Sequence, residues 1–335
     1  MGTNLFDLAT SELSQDAILC WIAHWADPVT ATADPLLHRL GRAFLERTYA
    51  LHGREMPMIE EIRVSRQVEH LDILLQVNSR TAICIEDKRG TAEHSGQLPR
   101  YLRAIESKGF TRSEILPVYI QTWDQGNYNA VLQAGFQVLG RRDLIGLLEE
   151  YRAWGGNNAI AVDFHEHLRG LDSRFESYRS RRFQEWDHFS WMGFYSELQK
   201  KMGRGEWGFV PNAAGGFYAF WCEWIARSDG AEPYLQLEQD KLCFKVHAPE
   251  ETDLRNVRAE WVQRIRDAAA VVRLPVRKPD KFGLGETMTV QVLDGDYRQL
   301  DADGAMDLEA TVGILESASR VLRQFRTETS YSASL

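Results

Sequence analysis

Asp72, Glu86 and Lys88 are the residues of this chain whose types and spacing best suit chemistry. Asp72 lies near the start of a strand-like run, LDILLQV (71–77), and Glu86 and Lys88 lie at the end of the next, TAICIED (81–87). Residues two apart on a strand project to one face, so Glu86 and Lys88 point together while Asp87 turns to the opposite side. The stretch before them, Ala82 to Ile85, is apolar, as in a strand buried within a sheet. Burying an acid and a lysine at such a strand end is costly unless something compensates. A cation gripped by two carboxylates would compensate, with the lysine paired to the same site. The plain alternative is a strand that leaves the sheet here and lets both side chains into water.

These residues need elements to hold them. Gln97 and Tyr101 stand at i and i+4 in GQLPRYL (96–102), so a helix presents them on one face, looking back toward the strand end. Pro99 is tolerated only in a first turn, which puts the start of this helix (96–108) near Ser95 or Gly96. Upstream, SELSQDAILCWIAHW (11–25) reads as an amphipathic helix, with Leu13, Ala17, Cys20, Trp21 and His24 as its apolar stripe and Ser11 or Thr10 as cap. A second helix spans 35–52, followed by strands at about 60–69, 71–77 and 81–87, the last two joined by Asn78-Ser79-Arg80. Strands at 117–123 and 136–140 and a helix over Asp143–Tyr151 complete an α/β sheet of mixed strand direction.

Asp72, a short hairpin and then Glu86-Asp87-Lys88 resemble the D…(D/E)xK signature of the PD-(D/E)XK nuclease superfamily. Gln97…Tyr101 is similar to the QxxxY motif of its RecB-like and phage-exonuclease branches. The opening, Asn4-Leu5-Phe6 through Ser11-Glu12-Leu13 to Ala17, also resembles a bacterial subgroup of that superfamily. The likeness covers roughly residues 4–150, with Leu71 where many members carry proline. It implies a restriction-endonuclease-like mixed-sheet core of order αβββαβ in residues 1–152. It also implies hydrolysis of phosphodiester bonds, with DNA favoured, and a link to defence against phage. Asp72 and Glu86 are hard oxygen donors suited to Mg²⁺ or Mn²⁺, and the backbone carbonyl of Asp87 would be a further ligand. Glu12, on the first helix, matches the position from which the superfamily often completes its metal site. Lys88 would orient the attacking water or offset charge at phosphorus, and Gln97 and Tyr101 would hold the site or contact the phosphate backbone.

The remainder carries no such signature. A length of 335 residues predicts two domains. Gly155-Gly156-Asn157-Asn158 marks a break, 153–205 reads as a helical linker region, and 206–335 as an α+β domain for substrate or partner recognition. In that domain YLQLEQDKLCFKVHA (234–248) reads as a hairpin around Gln239-Asp240, 250–272 and 305–326 as helices, and Asp303 as the cap of the last. Residues 254–281 hold eight Lys/Arg against three acids, so Arg255, Arg258 and Arg266 join Arg89 and Arg100 as candidate phosphate contacts. The net charge of −9 requires any such surface to be local. Aromatics from Phe183 to Trp224 would stack on bases, meet a protein partner or simply fill a core.

Several classes are set aside. No apolar run reaches membrane-spanning length, and no basic segment precedes an apolar one as in a secretory signal, which predicts a cytoplasmic protein. Cys20, Cys84, Cys222 and Cys243 form no CxxC pair and read as buried free thiols. His165 and His167 read as surface residues, and the 299–310 stretch fails a calcium loop because Gln299 and Ala310 occupy ligand positions. The competing functional class is a non-catalytic binding or regulatory subunit that keeps the nuclease fold. A homodimer stays open, with no residue to mark its interface.

Overall fold

Side-chain caps start the first three helices. Asn4 accepts from Phe6 N before α1 (Leu5–Leu8), Ser11 from Ser14 N before α2 (Glu12–His24), and Asp34 from the Leu36 and Leu37 amides before α3 (Pro35–Leu51). The computed structural model describes residues 4–90, 96–212, 215–227, 230–249 and 252–326. The chain divides into two units, Met1–Arg174 and Phe175–Leu335. The helical stretch expected as a linker is therefore shared between them.

In the first unit β1 (Ile62–Val68), β2 (Leu71–Val77) and β3 (Thr81–Lys88) pair antiparallel in turn. The β2–β3 turn places Asn78 and Ser79 at φ +53°, the left-handed region that suits a tight hairpin. Next come α4 (Gln97–Glu106), β4 (Ile115–Gln121), α5 (Asn129–Gln133), β5 (Gln137–Gly140), α6 (Arg141–Ala153) and α7 (Ala159–Phe175). Ser95, one expected start for α4, lies outside the described residues. β4 begins earlier than expected because Ile115 and Leu116 pair with Ala82 and Ile83. The sheet order is β1-β2-β3-β4-β5, with β3, β4 and β5 parallel, so it is mixed as expected.

Strand alternation assigns this sheet two cores. Ile73, Leu75, Ile83, Ile85, Val118 and Ile120 pack with Ile18, Leu19 and Ile22 of α2, Leu40 and Phe44 of α3, and Leu144 and Leu148 of α6. Leu74, Cys84, Ile115 and Tyr119 pack on the other face with Leu98, Leu102 and Ile105 of α4. Truncating any of these fully buried leucines would cost about 2–5 kcal/mol. The stripe expected on α2 is overturned. Leu13, Ala17 and His24 are exposed and Trp21 is half-buried, whereas Gln15, Asp16, Ile18, Leu19, Ile22 and Ala23 face inward with Cys20. Two polar residues inside that inner face hid the true period. Gly41 of α3 crosses α2 so closely that an added Cβ would meet Ala26 N at 2.4 Å.

The second unit is α+β. α8 (His188–Met202) is capped by Asp187 and precedes β6 (Glu206–Val210), β7 (Phe217–Cys222), β8 (Glu232–Glu238) and β9 (Lys241–His247). α9 (Leu254–Val271), β10 (Val276–Arg277), β11 (Thr287–Leu293), the small hairpin of β12 (Gln299–Leu300) with β13 (Met306–Asp307), and α10 (Leu308–Arg323) follow. The six-stranded sheet is antiparallel throughout, in the order β10-β11-β9-β8-β7-β6. The expected turn at Gln239-Asp240 joins β8 to β9. Residues 250 and 251, expected in the helix that became α9, lie outside the described residues. Asp303 does not cap the last helix; Asp307 does, accepting from Ala310 N, because the chain first closes a loop on Asp301 and a two-residue strand. Trp186, Phe189, Trp191, Phe194, Tyr195 and Phe220 are buried, so most of the aromatic cluster is core, with Phe209 and Trp224 exposed. All four cysteines are buried and free, and no helix among the described residues is long and apolar enough to cross a membrane.

Candidate functional site

The antiparallel hairpin sets Ile73 opposite Ile85, which brings Asp72 to the end of β3. Its Oδ2 accepts from Asp87 N at 2.9 Å and its Oδ1 from Gln67 Nε2 at 3.2 Å. On the α4 face of the sheet, Glu86 is 1% exposed. Glu86 Oε1 meets Lys88 Nζ at 2.6 Å and Gln97 Nε2 at 2.9 Å, while Oε2 has no hydrogen-bond partner among the described residues. Lys88 Nζ also lies 3.8 Å from Asp72 Oδ2 and donates to Asp87 O at 3.3 Å. The three residues singled out by type and spacing therefore converge, and Gln97 reaches them from the next helix. The solvated strand end is excluded, because Glu86 is buried and Lys88 nearly so.

Electrostatics follow from this burial. Burial and the neighbouring Asp72 push the Glu86 carboxyl up to about 8, against the pull of Lys88. Burial works against the Lys88 charge, yet Glu86 and Asp72 outweigh it and hold its proton more tightly than usual. Tyr101 packs at the edge of the α4 core, and burial together with Glu86 and Asp72 raises its phenol. Glu12 arrives by another route, its Oε1 accepting from Arg89 N at 3.2 Å. Arg100 is exposed on α4 and Arg89 half-buried after β3.

The residues fit a divalent cation of the Mg²⁺ kind. Such ions keep several waters and engage only one or two protein carboxylates, with the remaining positions left to substrate oxygens. Asp72, Glu86 with its orphaned Oε2, and the Asp87 carbonyl supply that set, and an ammonium already sits between the two carboxylates. Among the described residues no group of three or more His, Cys, Asp or Glu is placed to hold a metal ion.

Sequence reasoning missed what lies behind β3. Asp87, turned as expected to the opposite face, is fully buried beside Asp16 of α2. Gln15 Nε2 donates to Asp87 Oδ1 at 2.6 Å, and Thr122 Oγ1 donates to Gln15 Oε1 at 3.0 Å. Burial, then Asp72, pushes Asp16 up to about 6, and burial with Asp16 and Asp72 nearby holds Asp87 well above the carboxylate range. The two acids thus stand together in the interior, with Arg66 4.0 Å from Asp16. A polar Gln121 closing the apolar run of β4 was the other available signal. It is 3% exposed and pairs in register with Lys88.

The basic residues of α9 are only partly available. Arg255 and Arg266 are exposed, while Arg258 stacks on Phe282 at 5.1 Å and donates to Gly283 O. Compared with family models, with characterised proteins and with solved structures, the chain matches none.

Proposed function

We propose that this protein is a metal-dependent phosphodiesterase that cuts nucleic acid, DNA being the favoured substrate, with a restriction-endonuclease-like core in its first unit. The observation that carries this reading is a lysine set between two carboxylates, Asp72 and Glu86, at the end of a mixed sheet. Asp72, Glu86 and the Asp87 carbonyl would hold Mg²⁺ or Mn²⁺, which when bound polarises a phosphate and acidifies a water. Lys88 orients that water or offsets the negative charge that builds on the phosphate. Gln97 fixes Glu86 through its amide, and Tyr101 lines the approach. Glu12 anchors the chain just after β3 through the Arg89 amide, so it supports the site even where it does not touch the cation. Arg89 and Arg100 supply positive charge for a phosphate backbone in the first unit, and Arg255 and Arg266 do so separately in the second, where Arg258 is engaged with Phe282 and Gly283. The second unit is assigned to recognition of substrate or of a protein partner. A place in defence against phage follows from the resemblance alone.

The test is an assay on single- and double-stranded DNA and RNA with Mg²⁺ or Mn²⁺, wild type beside Lys88→Ala. Cleavage by wild type and its loss in the variant are expected. Cleavage that survives Asp72→Ala, Glu86→Ala and Lys88→Ala alike would overturn the assignment. A non-catalytic subunit is the competing reading, favoured by the Lys88 ammonium, which already pairs with both carboxylates within the chain. Failure of the wild type to bind Mn²⁺ by calorimetry would support it.

A further inference from the structure

Lys88 and Gln121 are register partners on the parallel strands β3 and β4, so their side chains stand side by side on the α4 face of the sheet. Gln121 is only 3% exposed, and its Oε1 has no hydrogen-bond partner among the described residues. Buried acceptors are almost always satisfied, and one left open beside a reactive lysine calls for a donor. A lysine has three N–H donors and no acceptor. Those of Lys88 are directed to Glu86 Oε1 at 2.6 Å, Asp87 O at 3.3 Å and Asp72 Oδ2 at 3.8 Å, all on the β2–β3 side. A divalent cation gripped by the two carboxylates repels the ammonium at such short range and loosens its hold on them. Once displaced, the ammonium needs another acceptor within the buried site, and Gln121 offers one on the adjoining strand.

We propose that Gln121 is a positioning residue, whose side-chain oxygen receives the Lys88 ammonium when Asp72 and Glu86 engage a cation. Lys88 then has two sets of acceptors, one for each condition of the carboxylates. This rests on the phosphodiesterase reading and adds to it a residue that touches neither cation nor substrate. It also accounts for the open oxygen: the acceptor is kept for a partner that arrives only when the carboxylates are occupied.

The test is a double-mutant cycle read by Mn²⁺ affinity, using wild type, Gln121→Leu, Lys88→Met and the double variant. Thermal unfolding of each confirms folding, and Gln121→Met replaces Gln121→Leu if the branched side chain does not pack. Gln121→Leu should weaken Mn²⁺ about fivefold in the wild-type background and by less than about twofold beside Lys88→Met. In cleavage assays Gln121→Leu should lower kcat about tenfold or more with little change in KM, a split that a purely structural role would not give. Equal weakening in both backgrounds, or an unchanged Mn²⁺ affinity in Gln121→Leu, overturns the role of Gln121. Wild type that binds Mn²⁺ and cuts DNA while the cycle shows no coupling removes this inference alone. Wild type that does neither removes the phosphodiesterase reading, and this inference with it.

Discussion

Glu86 and Asp87 are neighbours in the chain and both are almost wholly buried, yet the two faces of β3 treat them differently. Each keeps one carboxyl oxygen without a hydrogen-bond partner among the described residues, and Glu86 faces a lysine and a glutamine amide. Asp87 faces another carboxyl and the Gln15 amide, which Thr122 fixes in turn. One side of the strand sets an acid against an ammonium, the other sets two acids together beside a glutamine amide. Burial alone therefore does not mark a reactive carboxylate. The partners differ: Glu86 has a lysine, whereas Asp87 has a second carboxyl and an amide that ties helix to sheet.

The largest expected effect tests that division directly. Lys88→Ala should reduce cleavage by about 100-fold or more, the scale of removing one preorganised donor, and leave the fold intact by circular dichroism. Second is Asp87→Leu, which strands the Gln15 amide in the interior and should cost about 1–3 kcal/mol in urea unfolding. Third is Glu86→Gln in chelator. The folded value of about 8 lies above the ordinary 4.5, so the folded protein keeps a proton the unfolded chain has lost, and stability falls as pH rises across that window. A neutral amide in place of the carboxyl removes the penalty, so the melting-temperature gain of Glu86→Gln over wild type should be larger near about pH 9 than near about pH 5. The smallest effect belongs to Asp87→Asn, which keeps the shape and the neutral character. Its cleavage rate and melting temperature should stay close to wild type, and a loss matching that of Lys88→Ala would erase the distinction between the two faces.

The front face was legible in the sequence because it follows local rules. Period-two alternation puts Glu86 and Lys88 together, the short Asn78–Arg80 connection returns Asp72 to them, and an i, i+4 helix turn carries Gln97 back. The back face was not. Asp16 and Gln15 sit on the inward side of α2, where a polar pair breaks the apolar stripe and shifts its apparent phase onto Leu13 and Ala17. Their reason for being there is Asp87, a partner remote in sequence that no local window contains. Gln121 was obscured in the same way, since its neighbour Lys88 is set by parallel register rather than by a turn. Asp303 reads as the cap of the last helix from sequence alone, and only the small β12–β13 hairpin moves the helix start to Asp307.

The tie between α2 and β3 also bears on the order of assembly. The Asp72–Asp87 bond closes 15 residues of chain and the Gln15–Asp87 bond closes 72. By the logarithmic growth of closure entropy, the longer loop costs about 1.4 kcal/mol more to form. The hairpin bearing Asp72, Glu86 and Lys88 is thus the less demanding of the two to nucleate, and α2 arrives on a strand whose Glu86 and Lys88 face is already drawn. In hydrogen exchange that order gives the β2–β3 amides protection early in refolding, with the amides of α2 following as the helix seals the far side.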